Sequence, residues 1–242
     1  MNKLGLIILA GGLSSRMGQP KALLSWINGE SLISHALRKG LDADVADILI
    51  SIGDDEQLGH AIQTHIIDTL SNNEKEKVSI VRDSIERCGP LGGLYSALAV
   101  GTSPAYAVMA VDMPFMSMDL YYEWLYQVNH NNWTAIVPTG ATGRPEPMAG
   151  IYRPHIVSLL PTILAGEDVS LHHALDTIGH VETIDATDYG WELSNVNHFD
   201  DYQWARALAE NEFRRVPLIS VVASKRKTGK TTVVTRLVSE LQ

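Results

Sequence analysis

An α/β domain built on a mostly parallel, doubly wound sheet is predicted by two observations. Short apolar runs alternate with helical patterns along most of the chain, and several of those runs end in glycine or aspartate. Alternating strands and helices imply βαβ units, which stack their strands in parallel.

Taken in order, Leu4 to Leu9 is a strand apolar enough to be buried on both faces. Leu32, Ile33, Ala36 and Leu37 recur at helical spacing and predict a helix over Ser31 to Lys39. Ala46 to Ile52 is a second apolar strand, "NNEKEK" at 72–77 a polar loop, and "VSIVRD" a short strand ending at Asp83. "CGPLGGLYSALAVG" predicts a glycine-rich turn leading into a helix, with Gly89 to Gly93 a mobile loop able to close over a ligand. "YAVMAVD" is a central-strand candidate ending at Asp112, and "WTAIVP" is another strand. Between them "LYYEWLYQV" is a helix whose Tyr121, Tyr122, Trp124 and Tyr126 suit core and rim packing. "GRPEPMAGIY" is a turn followed by a short strand. A boundary near Arg214 to Val216 divides a domain at 1–213 from a strand–loop–helix appendage at 214–242.

The chain carries a net charge of -9, which disfavours a general nucleic-acid or anionic-membrane partner. A nucleotide can still bind locally, because a phosphate site needs only a few donors and cations. Cys88 is the single cysteine, which excludes an internal disulfide and suits a reducing compartment. No apolar run approaches the roughly 20 residues that span a bilayer, and the first residues do not read as a signal peptide. The expectation is a soluble, cytoplasmic protein.

"LAGGLSSRMGQPKALL", Leu9 to Leu24, concentrates the phosphate-binding chemistry. Gly11 and Gly12 fall beyond the carboxyl end of the first strand, where parallel sheets bind ligands. Without Cβ atoms they let backbone approach a ligand, with N–H groups free to donate. For the fold alone, only a turn is needed at Gly11. Arg16 offers a planar fork for phosphate oxygens, and Lys21 a compact charge. The same residues also suit a tight turn with solvated cations. The string is not G-x-G-x-x-G, and no acidic residue closes the second strand at Ile52, so dinucleotide binding is disfavoured.

Asp112 ends an apolar strand before Met113-Pro114. Such a carboxylate suits Mg²⁺, which favours one or two carboxylates plus phosphate oxygens and waters; taken alone, an aspartate before a proline-containing turn is more often a turn or cap residue. Asp83 also ends a strand, or caps the following turn. Asn195 and Asn197 flank Val196, so extended chain would put both amides on one face. They could serve as phosphate or metal ligands, or as caps for a helix starting near Asp200. His172 and His173, adjacent on a predicted helix, point about 100° apart and suit surface or packing roles.

These blocks carry a resemblance. Leu9 to Leu24 is similar to the N-terminal motif of the molybdenum cofactor guanylyltransferases, the MobA family, within the wider nucleotidyltransferase group. "RDSIERCGPLGGLYSAL", "AVDMPFM" and "NVNHFDDY" resemble that family's later blocks in the same order, over roughly residues 4–210. The resemblance implies a three-layer α/β/α Rossmann-like nucleotidyltransferase domain. It implies transfer of GMP from GTP to the phosphate of molybdopterin or Mo-molybdopterin, with Mg²⁺ as cofactor and pyrophosphate released. Leu9, Ala10, Gly11 and Gly12 would then seat the guanine nucleotide, with Ser51 and Asp83 contacting it. Arg16, Lys21 and Asp112 would be the catalytic group, the first two holding the triphosphate. Asp112 and Asn197 would hold the metal, and Asn195 and Asn197 would meet the acceptor. Arg144 to Pro147 would shape the acceptor side. GTP is expected over CTP, because the cytidylyl relatives carry alanine where this chain has Gly11. A MobB-like adaptor and molybdoenzyme-specific chaperones are the implied partners.

"SKRKTGKTT", Ser224 to Thr232, matches G-x-x-x-x-G-K-[ST] except that Ser224 replaces the first glycine. The stretch resembles the start of MobB-type GTP-binding adaptors, but one strand, one loop and one helix do not supply the further strands and acidic ligand of a P-loop enzyme. The alternatives left open are a cytidylyltransferase, a transferase acting on a sugar or alcohol phosphate, and a GTP-binding adaptor working through this C-terminal loop.

Overall fold

The computed structural model describes residues 3–11, 20–85, 88–128, 131–140 and 142–213. Gly12, Arg16, the 214–242 appendage and its boundary lie outside the described residues. The elements in chain order begin with β1 (Gly5–Leu9), α1 (Leu32–Asp42), β2 (Ile48–Ser51), α2 (Glu56–His65), α3 (Asn72–Lys75) and β3 (Val78–Val81). They continue with α4 (Gly89–Val100), β4 (Tyr106–Ala110), α5 (Met118–Gln127), β5 (Ala135–Thr139) and β6 (Ile151–Tyr152). The last are α6 (Leu160–Leu164), α7 (Leu171–Ile178), β7 (Val181–Asp185) and α8 (Phe199–Phe213).

The seven strands form one sheet in the order β3-β2-β1-β4-β6-β5-β7. All neighbouring pairs are parallel except those of β6, which runs antiparallel to β4 and β5. Every residue of β1 is buried, and alternate side chains enter opposite cores. Leu6 and Ile8 pack with the apolar faces of α1, α2, α5 and α8. Ile7 and Leu9 pack with those of α4, α6 and α7. Two covered faces make the three layers, and they explain why β1 is apolar at every position.

Local chemistry sets the helix starts. Ser31 accepts from the Ser34 amide at α1, Asp55 from Leu58 at α2, and Ser170 from His173 at α7. The predicted loop at 72–77 contains α3 instead. Ser71 and Glu74 form a reciprocal capping box there, which holds a single turn despite the polar sequence. The predicted mobile loop from Gly89 to Gly93 is the first turn of α4, with Leu91, Gly92 and Gly93 buried. α2 has a weak sequence signal because its apolar face is narrow, with only Leu58, Gly59 and Ile62 buried. Tyr121 and Trp124 are core, while Tyr126 is exposed. Among the described residues, no helix is long and apolar enough to cross a membrane.

Candidate nucleotide and metal site

The sheet register aligns the carboxyl ends of four neighbouring strands. Leu9 pairs with Ser51 and Ala110, and Ser51 pairs with Val81. Ala10, Gly11, Asp83 and Asp112 therefore leave the sheet along one edge, where a parallel sheet offers its ligand crevice.

The Ala10 and Gly11 amides are not free donors, as the glycine motif suggested. Both donate to the Ser51 carbonyl, at 2.8 and 3.0 Å. Nor is Gly11 needed only for a turn. A Cβ there would lie 2.6 Å from the Gly53 nitrogen and 2.7 Å from the Ile52 carbonyl carbon. Both are backbone atoms, so close approach of two chains requires glycine. The Asp83 amide donates to the Gly53 carbonyl at 2.9 Å, which continues the stitching to β3. Ser51 is buried, and its hydroxyl donates to the Asp83 carboxylate at 3.4 Å. Burial raises the Asp83 pKa, opposed by the Ser51 bond and reinforced by Asp54. A Cβ on Gly93 would sit 2.5 Å from Ser51 Oγ and 3.5 Å from Asp83 Oδ1. Glycine at this helix turn is what lets α4 approach the pair.

Lys21 opens a short 3₁₀ turn, Lys21–Leu23, behind Pro20. Its ammonium donates to Asp112 Oδ2 at 2.8 Å and to Asn197 Oδ1 at 3.0 Å. The Val196 amide donates to the Asp112 carbonyl at 2.8 Å, fastening the segment before α8 to the turn after β4. Asp201 accepts from the amides of Asn197 and His198, at 3.2 and 2.8 Å, so a carboxylate one turn on caps this end of α8. The two asparagines do not share an environment. Asn197 reaches Lys21, whereas Asn195 Oδ1 is buried with no hydrogen-bond partner among the described residues.

The Asp112–Asn197 pair fits a hard divalent cation. Two oxygens, one anionic, already converge on a positive charge, the Lys21 ammonium. Among the described residues no group of three or more His, Cys, Asp or Glu could hold a metal. Two protein oxygens with phosphate and water completing the shell is the habit of Mg²⁺.

The 144–147 segment lies at the carboxyl end of β5. Thr139 bridges to Pro145, and the Glu146 amide donates to the Pro138 carbonyl at 2.8 Å. Burial raises the Glu146 pKa, with His172 and Arg144 opposing. His172 is exposed and places Nε2 3.1 Å from the Pro145 carbonyl, a surface contact. Lys39, taken from the sequence only as the end of a helix, reaches the turn that carries Asp112. Its signal was a lysine on the buried face of α1, three residues after Ala36 and beside Gly40.

The sequence matches the MobA-like NTP transferase domain over residues 6–181. It is 30% identical over 220 residues to a probable molybdenum cofactor guanylyltransferase of Bacillus cereus (strain Q1), covering 88% of this chain and 100% of the relative. It is 28% identical over 218 residues to one of Bacillus anthracis (strain CDC 684 / NRRL 3495), with the same coverages. The fold is that of molybdopterin-guanine dinucleotide biosynthesis protein A from Archaeoglobus fulgidus, with TM-score 0.67 and 19% identity over 86% of this chain and 100% of that one. It is also that of a nucleotidyl transferase from Methanothermobacter thermautotroptrophicus, with TM-score 0.66 and 18% identity over 88% of this chain and 100% of that one. By its domain match and its full-length relatives, the chain belongs to the MobA-like NTP transferase family and is a nucleotidyltransferase.

Proposed function

We propose that the protein transfers GMP from GTP to the phosphate of a molybdopterin, releasing pyrophosphate. The carrying observation is the convergence of Lys21, Asp112 and Asn197 at the ligand edge of the sheet. The names of the relatives support the nucleotide and acceptor.

One acceptor-phosphate oxygen attacks the α-phosphorus of GTP. A new oxygen–phosphorus bond forms as the bond to the β-phosphate breaks, and the electron pair leaves with pyrophosphate. The attacking oxygen is already anionic at neutral pH, so no general base and no covalent protein intermediate are required. What remains for the protein is to hold two anions together and offset their charge. Asp112 and Asn197 would hold Mg²⁺, which when bound neutralises phosphate charge. Lys21 then turns its ammonium to the triphosphate. The Ser51–Asp83 pair would read ribose or base through the carboxylate, and Arg16 would grip phosphate. Asn195 and the 144–147 segment would face the acceptor.

This reading implies a cytoplasmic, GTP-fed reaction with a MobB-like adaptor and molybdoenzyme-specific chaperones as partners. The test is incubation with Mg²⁺, molybdopterin and each of the four NTPs, with pyrophosphate measured. Release with GTP that depends on molybdopterin supports the proposal. Release with CTP instead makes the protein a cytidylyltransferase.

A further inference from the structure

The turn that carries Asp112 is held from the far side by α1. Met113 and Met116 are buried, and their amides close the turn onto the Ala110 and Met113 carbonyls, at 3.0 and 3.2 Å. That leaves the carbonyls of Pro114 and Met116 turned toward α1. Lys39 Nζ donates to both, at 2.5 Å each. His35, one helical turn earlier, places Nε2 3.2 Å from the same Pro114 carbonyl.

An ammonium enclosed against a core is costly unless its donors are used. This one is enclosed enough that burial pulls its pKa down to about 7. A lysine used only for solubility would extend its flexible stem to water. Here the stem turns inward and two carbonyls of one short turn share the charge, which fixes the turn at both Pro114 and Met116. At the other end of the same turn, the Asp112 carbonyl accepts from Val196 and its carboxylate meets Lys21. The turn is thus pinned on one side by α1 and on the other by the Asn197 segment, with the carboxylate between the two attachments.

We infer that Lys39 is a positioning residue for Asp112, acting through the Met113–Met116 turn and never touching nucleotide, acceptor or metal. The inference rests on the reading of Asp112 as a metal ligand. Loss of the Lys39 charge would let the turn shift and move the carboxylate relative to Asn197, so metal binding would suffer before nucleotide binding does. Outer groups that orient a metal ligand typically change metal affinity by about 10–100-fold.

The test compares wild type, Lys39→Met and Asp112→Asn. It measures Mn²⁺ affinity by electron paramagnetic resonance with a non-hydrolysable GTP analogue present, analogue affinity without metal, and the Mg²⁺ dependence of pyrophosphate release. Lys39→Met is expected to weaken Mn²⁺ binding by about tenfold or more and to raise half-saturating Mg²⁺ in parallel. Analogue affinity without metal should stay within threefold of wild type, and kcat should recover as Mg²⁺ is raised. Wild-type Mn²⁺ affinity and Mg²⁺ dependence in Lys39→Met, with Asp112→Asn impaired in both, overturns the positioning role and leaves Asp112 in place. Wild-type values in Asp112→Asn overturn the metal-ligand reading itself. Should Lys39→Met not fold, Lys39→Gln, which can still donate to one carbonyl, carries the same comparison with the same two outcomes.

Discussion

The Val196 amide donates to the Asp112 carbonyl at 2.8 Å, a backbone link between the two segments that carry the candidate metal oxygens. These segments lie more than eighty positions apart in sequence, and this bond between them uses neither functional side chain. Side-chain substitutions at Asp112 and Asn197 should therefore test chemistry with the fold intact.

Asp112→Asn should keep the fold and lose about 10²–10³ in rate, the usual effect of removing one preorganised charge. Circular dichroism and pyrophosphate release on the same preparation check this. Activity within threefold of wild type would remove Asp112 from the metal site.

Lys21 and a metal ion compete for the same two oxygens. Lys21→Met should therefore bind Mn²⁺ more tightly than wild type when no nucleotide is present, while transferring GMP poorly. A partly exposed pair of this kind is worth on the order of 1 kcal/mol, which corresponds to roughly fivefold in affinity. Weaker Mn²⁺ binding in Lys21→Met would show that the ammonium supports the metal site and does not occupy it.

Gly11→Ala should destabilise the protein by about 1–3 kcal/mol, because the neighbours at 2.6 and 2.7 Å are backbone atoms that cannot swing away. Urea unfolding measures it. A midpoint equal to wild type would mean that the Gly11–Gly53 approach relaxes easily, and Gly11 could then be judged by base preference alone.

The contrast between that close approach and the motif around it illustrates what the sequence can carry. The candidate residues Lys21, Asp112 and Asn197 stand out because motif order and strand ends place them, and the β1, β2 and β4 core stands out because its strands are buried at every position. The Gly11–Gly53 contact was not, since it joins chain segments through backbone atoms that have no sequence signature. Gly92 and Gly93 read as loop residues because glycine ordinarily breaks helices, yet here α4 needs them to pass Ser51 and Asp83. Lys39 was hidden because its partners are carbonyls, which every residue possesses.

His35 should make the protein lose stability in acid. Burial, and then the Lys39 charge, lower its pKa from 6.5 to about 4, opposed by the Pro114 bond. Its full contribution is present above pH 6.5, and it is lost as pH falls toward 4, because the unfolded chain takes up the proton first. Urea midpoints for wild type should fall over that window, and His35→Gln should show a shallower fall. Parallel slopes would mean that another group governs the acid limb.

Nucleotidyl transfer at the Lys21 site and GTP hydrolysis at the C-terminal loop send the phosphates of GTP to different products. The segment from Ser224 to Thr232 lies outside the described residues, and α8 continues to Phe213, so the clean truncation falls after Phe213. The most direct measurement follows label from α- and γ-³²P GTP in the presence of molybdopterin, in full-length, truncated, Lys230→Ala and Lys21→Ala proteins. Transfer at the Lys21 site puts α-label in a pterin–guanine dinucleotide and γ-label in pyrophosphate for the first three proteins, with both lost in Lys21→Ala. Label released from the γ-position as orthophosphate, lost in Lys230→Ala and unchanged in Lys21→Ala, would contradict it.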